Sequence, residues 1–428
     1  MGNAFAIQDS FRNKVSLYHI VLFLAFLPFD RFYSEIIFIS FAIHTLIHLN
    51  KNDSSRIFRK EIILLQSVFF ISLVCSFYTV YKHEAYDLLI RQLSILLFPV
   101  LLFFNPIDLK KYAKGILLSF AFVCTVVISY LYFDAIRIIR FYHLPFASLL
   151  SSYFMNHNFS EPLDIHATYL SLYVCLSLIT LIYYFLFEDE KKIKVLYLVA
   201  GSILLAGLIQ LGSRAVFVAF LLAFCLVIPF ALKGRKRLSF LIVSLLLSAS
   251  LTLAIAYVHT YKSRYLLELK NDLSEDPLWN TTTGSRMERW QLAFELVKNA
   301  PLIGYGTDSE VVLLKEKYFE NRLYNAYLNN LNAHNQYISF LITGGILALV
   351  VYLLTLAFGL RLAIKSKNII FAGFIVLLLA TSVSENILER NKGIFFYSFF
   401  LSFFVCAELK SKEVTGQATT MNITGNLV

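Results

Sequence analysis

Residues 165–187 read IHATYLSLYVCLSLITLIYYFLF, and the charged run EDEKKIK follows at 188–194. No Asp, Glu, Lys or Arg interrupts the apolar stretch. A membrane-spanning helix needs roughly 20 such residues. A half-buried strand would alternate apolar with polar, and this stretch does not. In hydrocarbon only helices and closed barrels satisfy every backbone polar group, so a continuous run predicts a helix. Working outward, runs of the same kind occur at 15–29, 33–49, 61–80, 88–104, 115–135, 194–211, 214–232, 238–258, 335–360, 368–384 and 393–408. The expected fold is an all-α polytopic membrane protein of about twelve transmembrane helices. Composition agrees: 58% of the 428 residues are apolar and 15% charged, against roughly 45–50% and 25% in soluble domains. The first two runs are short and suit a tight or tilted hairpin. Arg12 and Lys14 precede the first run, but no small-residue cleavage site follows, so it is expected to be an uncleaved span.

Lys and Arg set the expected orientation. The N-terminus, the even-numbered loops and the tail carry 21 of them, among them Lys51, Arg56, Lys110, Lys111, Lys191, Arg235 and Lys410. The short odd-numbered loops carry 7. Both termini are therefore expected in the cytoplasm, with the odd-numbered loops outside. The expected organisation is helices one to nine over 1–258, an external loop with short helices over 259–334, helices ten to twelve over 335–408, and a cytoplasmic tail over 409–428. A loop of that length is usually functional or disordered, and its amphipathic pattern favours function. A medium external loop is expected at 136–164. The net charge of +10 is spread over these loops, which makes it a topology signal and not a nucleic-acid surface. Cys75, Cys124, Cys175, Cys225 and Cys406 each lie in an apolar run without a CxxC pair, so no metal or disulfide framework is implied.

The chemistry-bearing residues gather on the external side. In Thr283-Gly284-Ser285-Arg286-Met287-Glu288-Arg289-Trp290, Ser285 and Glu288 form a capping box that starts a helix. Met287, Trp290, Phe294 and Val297 recur at helical spacing, and Pro301 ends the run. Arg286 then stands beside free N–H groups, a good anion site, unless it pairs with Glu288. Arg214 lies in the turn Gly212-Ser213-Arg214, with Ser213 as an N-cap; a plain membrane-edge anchor is its bland reading. Arg91, inside an apolar run, is a possible functional charge, although Asp87 one turn earlier could pair with it. His334, in Ala333-His334-Asn335, opens the tenth run and can act as a base. Glu389-Arg390 reads as an ordinary surface pair. No DxD spacing suggests a metal, and neither GxxxxGK[ST] nor GxSxG is present. Two arginines and a histidine from three segments suit attack of a hydroxyl on a glycosyl carbon whose leaving group is a diphosphate.

At this point the sequence resembles the O-antigen ligase family. The resemblance rests on Gly212-Ser213-Arg214, Thr283-Gly284-Ser285-Arg286 with Arg289-Trp290, Pro301-Leu302-Ile303-Gly304-Tyr305-Gly306, Ala333-His334-Asn335, Gly344-Gly345 and Ser382-Val383-Ser384-Glu385, in that order. They cover roughly residues 200–400; the first half matches in hydropathy alone. The resemblance implies a C-type membrane glycosyltransferase at the periplasmic face of the bacterial inner membrane. It would move a glycan from undecaprenyl pyrophosphate to a sugar hydroxyl of lipid A–core, by one inverting displacement without metal or other cofactor. Arg214, Arg286 and, less firmly, Arg289 would bind the diphosphate, and His334 would be the base. Arg91, Asn335 and Glu385 are possible further site residues. Partners beyond donor and acceptor would be membrane lipids, and no nucleic acid. The alternatives are an O-antigen or exopolysaccharide polymerase, or a protein O-oligosaccharyltransferase, using the same donor. A lipid-linked glycan transporter would scatter polar residues through mid-membrane, whereas these cluster at one face.

Overall fold

The computed structural model describes residues 9–49, 59–272 and 285–425. Lys51, Arg56, Thr283 and Gly284 lie outside the described residues. The chain runs through α1 (Phe11–Phe26), α2 (Arg31–Ile47), α3 (Lys60–Ser76), α4 (Lys82–Phe104), α5 (Leu109–Phe141), the one-turn α6 (His157–Ser160), α7 (Ala167–Phe187), α8 (Lys191–Leu211), α9 (Arg214–Leu222) and α10 (Gly234–Tyr257). Short α11 (His259–Lys262) and α12 (Glu268–Asp272) follow. Then come α13 (Arg286–Asn299), α14 (Glu310–Glu320), α15 (Tyr324–Leu328), α16 (Gln336–Ser366), α17 (Ile369–Thr381) and α18 (Asn391–Gly425). Among the described residues there is no strand.

Every apolar run falls on a helix. Among the described residues seven helical stretches are long and apolar enough to cross a membrane: α4, α5, α7, α8, α9 with its continuation to Ala231, α16, and Asn391–Lys410 of α18. By contrast α1, α2, α3 and α17 have only 16, 17, 17 and 13 residues. The chain is an all-α polytopic membrane protein. Large apolar side chains on its outside, such as Phe133, Leu245 and Ile47, are mostly exposed, which a bilayer tolerates and water does not. Local chemistry starts the helices: Asp108 accepts from the Lys110 and Lys111 amides at 3.0 Å, and Asn368 from Phe371. The first helix after the charged 188–190 turn and the last before it differ in burial. In α7, residues 167–181 are all buried, whereas much of α8 is exposed. Residues 393–408 of α18 are likewise buried without a break. Phe23, Phe98, Phe395 and Phe399 pack there edge-on or tilted at 5.1–5.5 Å, a favoured aromatic geometry.

The helices sort the polar residues to two ends. At one end Lys110 meets Glu408 at 3.1 Å, Lys111 meets Asp9 at 3.8 Å and Lys114 meets Glu188 at 3.6 Å. At the other end stand the 142–166 segment, the Gly212–Ser213 turn, the segment entering α16, and the 382–390 connection. Helix α5 runs to Phe141, six residues past the expected end of its apolar run. The loop behind it is therefore 142–166, folded into short turns at 146–150, 152–154 and 161–163 around α6.

Helix α16 is broken within its apolar run. Gly344 and Gly345 leave helical geometry, with Gly345 at φ +61°. The freed backbone groups are taken by the 301–306 segment. Tyr305 and Gly306 donate their amides to the Ile342 and Thr343 carbonyls at 2.8 Å, and Ile346 donates to Pro301 at 2.9 Å. Irregular backbone at such depth survives only where protein covers it. The approach is so close that a Cβ on Gly304 would lie 2.4 Å from the Ile342 carbonyl oxygen, and one on Gly345 2.3 Å from Leu302. Two glycine motifs 40 residues apart in the sequence are thus one contact. It anchors the segment after α13 to the bundle.

Candidate active site

Ser285 caps α13 as the spacing predicts. Its hydroxyl accepts the Glu288 amide at 3.1 Å, and the Glu288 carboxylate accepts the Ser285 amide at 2.6 Å. Arg286 donates to the Ser384 carbonyl at 3.4 Å and acts on Glu385 through its charge. The buried face of α13 is one step round from the expected one. Arg289, Leu292, Ala293 and Leu296 are buried, and Phe294 is 44% exposed. The reason is that α13 packs on α14 and α16.

His334 projects from the segment that leads into α16. Its Nδ1 lies 3.5 Å from Glu385 Oε2. Glu385 Oε1 accepts the Thr168 hydroxyl at 3.4 Å, and Ser213 donates to Thr168 at 3.5 Å. Ser213 stands at the N-cap position of α9 but makes no capping bond; its hydroxyl is spent on Thr168. A chain of hydrogen bonds therefore ties the Gly212–Arg214 turn to His334. Gly212, at φ +56°, turns the chain from α8 into α9, and Arg264 donates to its carbonyl at 3.2 Å. Arg214 is the first residue of α9 and is half-buried. Burial works to raise the Glu385 carboxyl. The bond to His334, with the charges of His334, His166 and Arg286, outweighs it and leaves the carboxyl below its ordinary value.

A cavity of about 830 Å³ opens over this group. His334, Glu385, Arg91, His166, Arg390 and Lys392 are among its walls. Arg91 reaches it from α4. Its partner is Asp308, 3.6 Å away, and not Asp87, which pairs with His83. Burial, then the charge of Glu389, push Asp308 up to about 6, against the pull of Arg91. Arg289 and Asn335 lie underneath. Arg289 is buried and donates to the Asn332 carbonyl at 3.4 Å. Asn335 caps α16 by accepting the Tyr337 and Ile338 amides at 3.0 and 3.1 Å. Both residues hold the segment that carries His334.

Several cavity residues have no motif in the sequence. His157 and His166 stand with ring centroids 4.1 Å apart. Each Nδ1 accepts a backbone amide, from Ala167 at 3.5 Å and Thr168 at 3.4 Å, which leaves Nε2–H as the donor of each neutral ring. Burial lowers His157, and lowers His166 to about 4. Glu389 and Arg390 are not a surface pair. Glu389 turns inward to accept the Asn332 amide at 2.6 Å and that of Asn386, while Arg390 lines the cavity. Such neighbours come from chain segments far apart, and hydropathy or spacing carries no trace of them.

The fold and cavity define a polytopic membrane protein with a polar, histidine- and arginine-walled chamber at one end of a helical bundle. Residues 198–353 match the family described as O-antigen ligase. The match takes in Arg214, Arg286, Arg289, His334 and Asn335. It supports ligase- or polymerase-type activity in general. The chain is also similar to an uncharacterized protein of Haemophilus influenzae (strain ATCC 51907 / DSM 11121 / KW20 / Rd), with 26% identity over 137 residues. The similarity covers 29% of this chain and spans 34% of that protein's length.

Proposed function

We propose that the protein transfers O-antigen glycan from undecaprenyl pyrophosphate to a sugar hydroxyl of lipid A–core, at the periplasmic face of the bacterial inner membrane. The observation that carries this reading is the His334–Glu385 pair on the cavity wall, with Arg286 beside it. The lysine-rich end of the bundle then faces the cytoplasm, together with both termini.

In the proposed reaction His334 gives its Nδ1–H to Glu385, which orients the ring and stabilises the imidazolium. Nε2 takes the proton of the acceptor hydroxyl as the oxygen attacks the anomeric carbon. The bond from that carbon to the diphosphate breaks, and its electron pair leaves with undecaprenyl pyrophosphate. Arg286 and Arg214 hold the diphosphate and meet the charge that grows on it. One displacement inverts the anomeric centre, and the step is expected to be insensitive to chelators.

The test is to incubate purified protein with an undecaprenyl-pyrophosphate glycan, with and without lipid A–core, and to resolve the products by gel. Glycan on lipid A–core supports the ligase. Longer undecaprenyl-linked chains without lipid A–core make the protein a polymerase, and no product in either tube overturns both.

A further inference from the structure

Two carboxyl groups with no part in the proposed transfer grip the segment that carries His334. Glu310, at the start of α14 and 2% exposed, accepts the Ala333 amide at 2.8 Å. Glu389 accepts the Asn332 side chain at 2.6 Å. The Asn386 amide bridges the two, 3.1 Å from Glu310 and hydrogen-bonded to Glu389. One amide nitrogen thus stands between two buried carboxyl groups, and their charges act on each other. From α13, Arg289 and Trp290 hold the carbonyls of Asn332 and Ala333 at 3.4 and 2.8 Å. The grip is needed, because His334 sits at φ +48°, in the left-handed region. A side-chain residue keeps that conformation only where its surroundings impose it.

We propose that Glu310 and Glu389 are positioning residues that share one proton, and that losing this proton releases the Asn332–His334 segment and turns transfer off. Two buried carboxylates around one amide nitrogen cannot both be charged cheaply. Burial, then the charge of Glu310, raise Glu389 to about 8, and burial raises Glu310. The other titratable and charged groups around the pair are His334, Arg289 and Tyr318, with Asp308 and Arg91 beside Glu389; Glu84 and Asp87 act on Asp308 from farther off. Asp308 and Glu389 repel each other, which adds to the cost of a second charge. An acid raised from an ordinary 4.5 to about 8 stabilises the fold fully below 4.5. That stabilisation is lost as pH rises through about 8.

The inference rests on His334 being the base, so the experiment has one arm that does not use transfer. The chain has two tryptophans, Trp279 and Trp290. In a Trp279→Phe background, fluorescence reports Trp290, whose Nε1–H binds the Ala333 carbonyl. From about pH 7 to about pH 9 the emission of the wild-type site should shift, and kcat should fall about tenfold while KM moves less than about threefold. Glu310→Gln keeps an acceptor for Ala333 and a donor for Glu389. It should lower kcat a few-fold at pH 7 and abolish both alkaline transitions; Glu389→Gln should do the same, should the first variant fold poorly. An unchanged alkaline transition in a folded Gln variant, or a flat Trp290 signal in wild type, overturns the proposal. Loss of transfer activity as such, with the Trp290 transition intact and removed by Glu310→Gln, sinks the functional reading and leaves the pair standing.

Discussion

The two ends of the bundle use similar residues to opposite effect. At the lysine-rich end Lys110 and the Asn368 amide meet the buried Glu408 at 3.1 and 3.0 Å, and Lys410 covers the carbonyls of Asn105 and Ile107. Charge there closes helix ends. At the other end His334, Glu385, Arg91 and Arg390 stand around a cavity of about 830 Å³, and their partners hold them at its edge. A polar group stabilises a membrane bundle when its partner leaves no room for a third. It becomes available for chemistry when the partners sit on one side only.

His334→Ala strikes the cavity end hardest. Loss of a general base should cost about 10²–10⁴-fold in transfer rate with expression unchanged, and gel quantification of product checks it; full activity would remove the base from the mechanism. Arg286→Lys should cost about tenfold or more, because an ammonium cannot reproduce guanidinium contacts. Equal activity of that variant would dissolve the diphosphate clamp. His166→Phe removes one neutral N–H donor and should raise KM several-fold with little change in kcat. Because His166 is held neutral above about 4, its contribution should be flat from pH 5 to pH 8. A steep pH dependence confined to the His166 enzyme, measured as kcat/KM, would show that the ring works in its charged form. Smallest is Lys110→Ala at the closed end. Lys110 is half exposed, and such ion pairs add little stability. The melting temperature should drop by no more than a few degrees, and transfer should not change; a large loss of transfer would mean that the two ends are coupled.

Much of the fold is legible in the chain itself. Each apolar run became a helix, because a run of that length has no other way to satisfy its backbone in hydrocarbon. The Ser285 capping box formed because its bonds span three residues. The face of α13 was misjudged by one step, since periodicity says that a face is covered without saying by what. Glycine motifs at 304–306 and 344–345 were visible as motifs, yet nothing local shows that one fills the break in the other. The site is legible in part: Arg286 and His334 stand in segments with motifs, while His157, His166, Glu310 and Asp308 do not. Glu389 looked like half of a surface pair, because Arg390 is its neighbour in sequence and not in space.

The sequence by itself determined that its apolar runs are helices, where several of them start, and which segments carry arginine or histidine between them. Hydropathy and capping act over a few residues, so they can be read in one dimension. Only the tertiary structure decided that Glu385 serves His334 across 51 residues and Thr168 serves Glu385 across 217. It also decided that Arg91 answers to Asp308 and that two carboxyls meet beneath the histidine. Such pairings follow from how whole helices pack, and a charge's partner is chosen by distance in space.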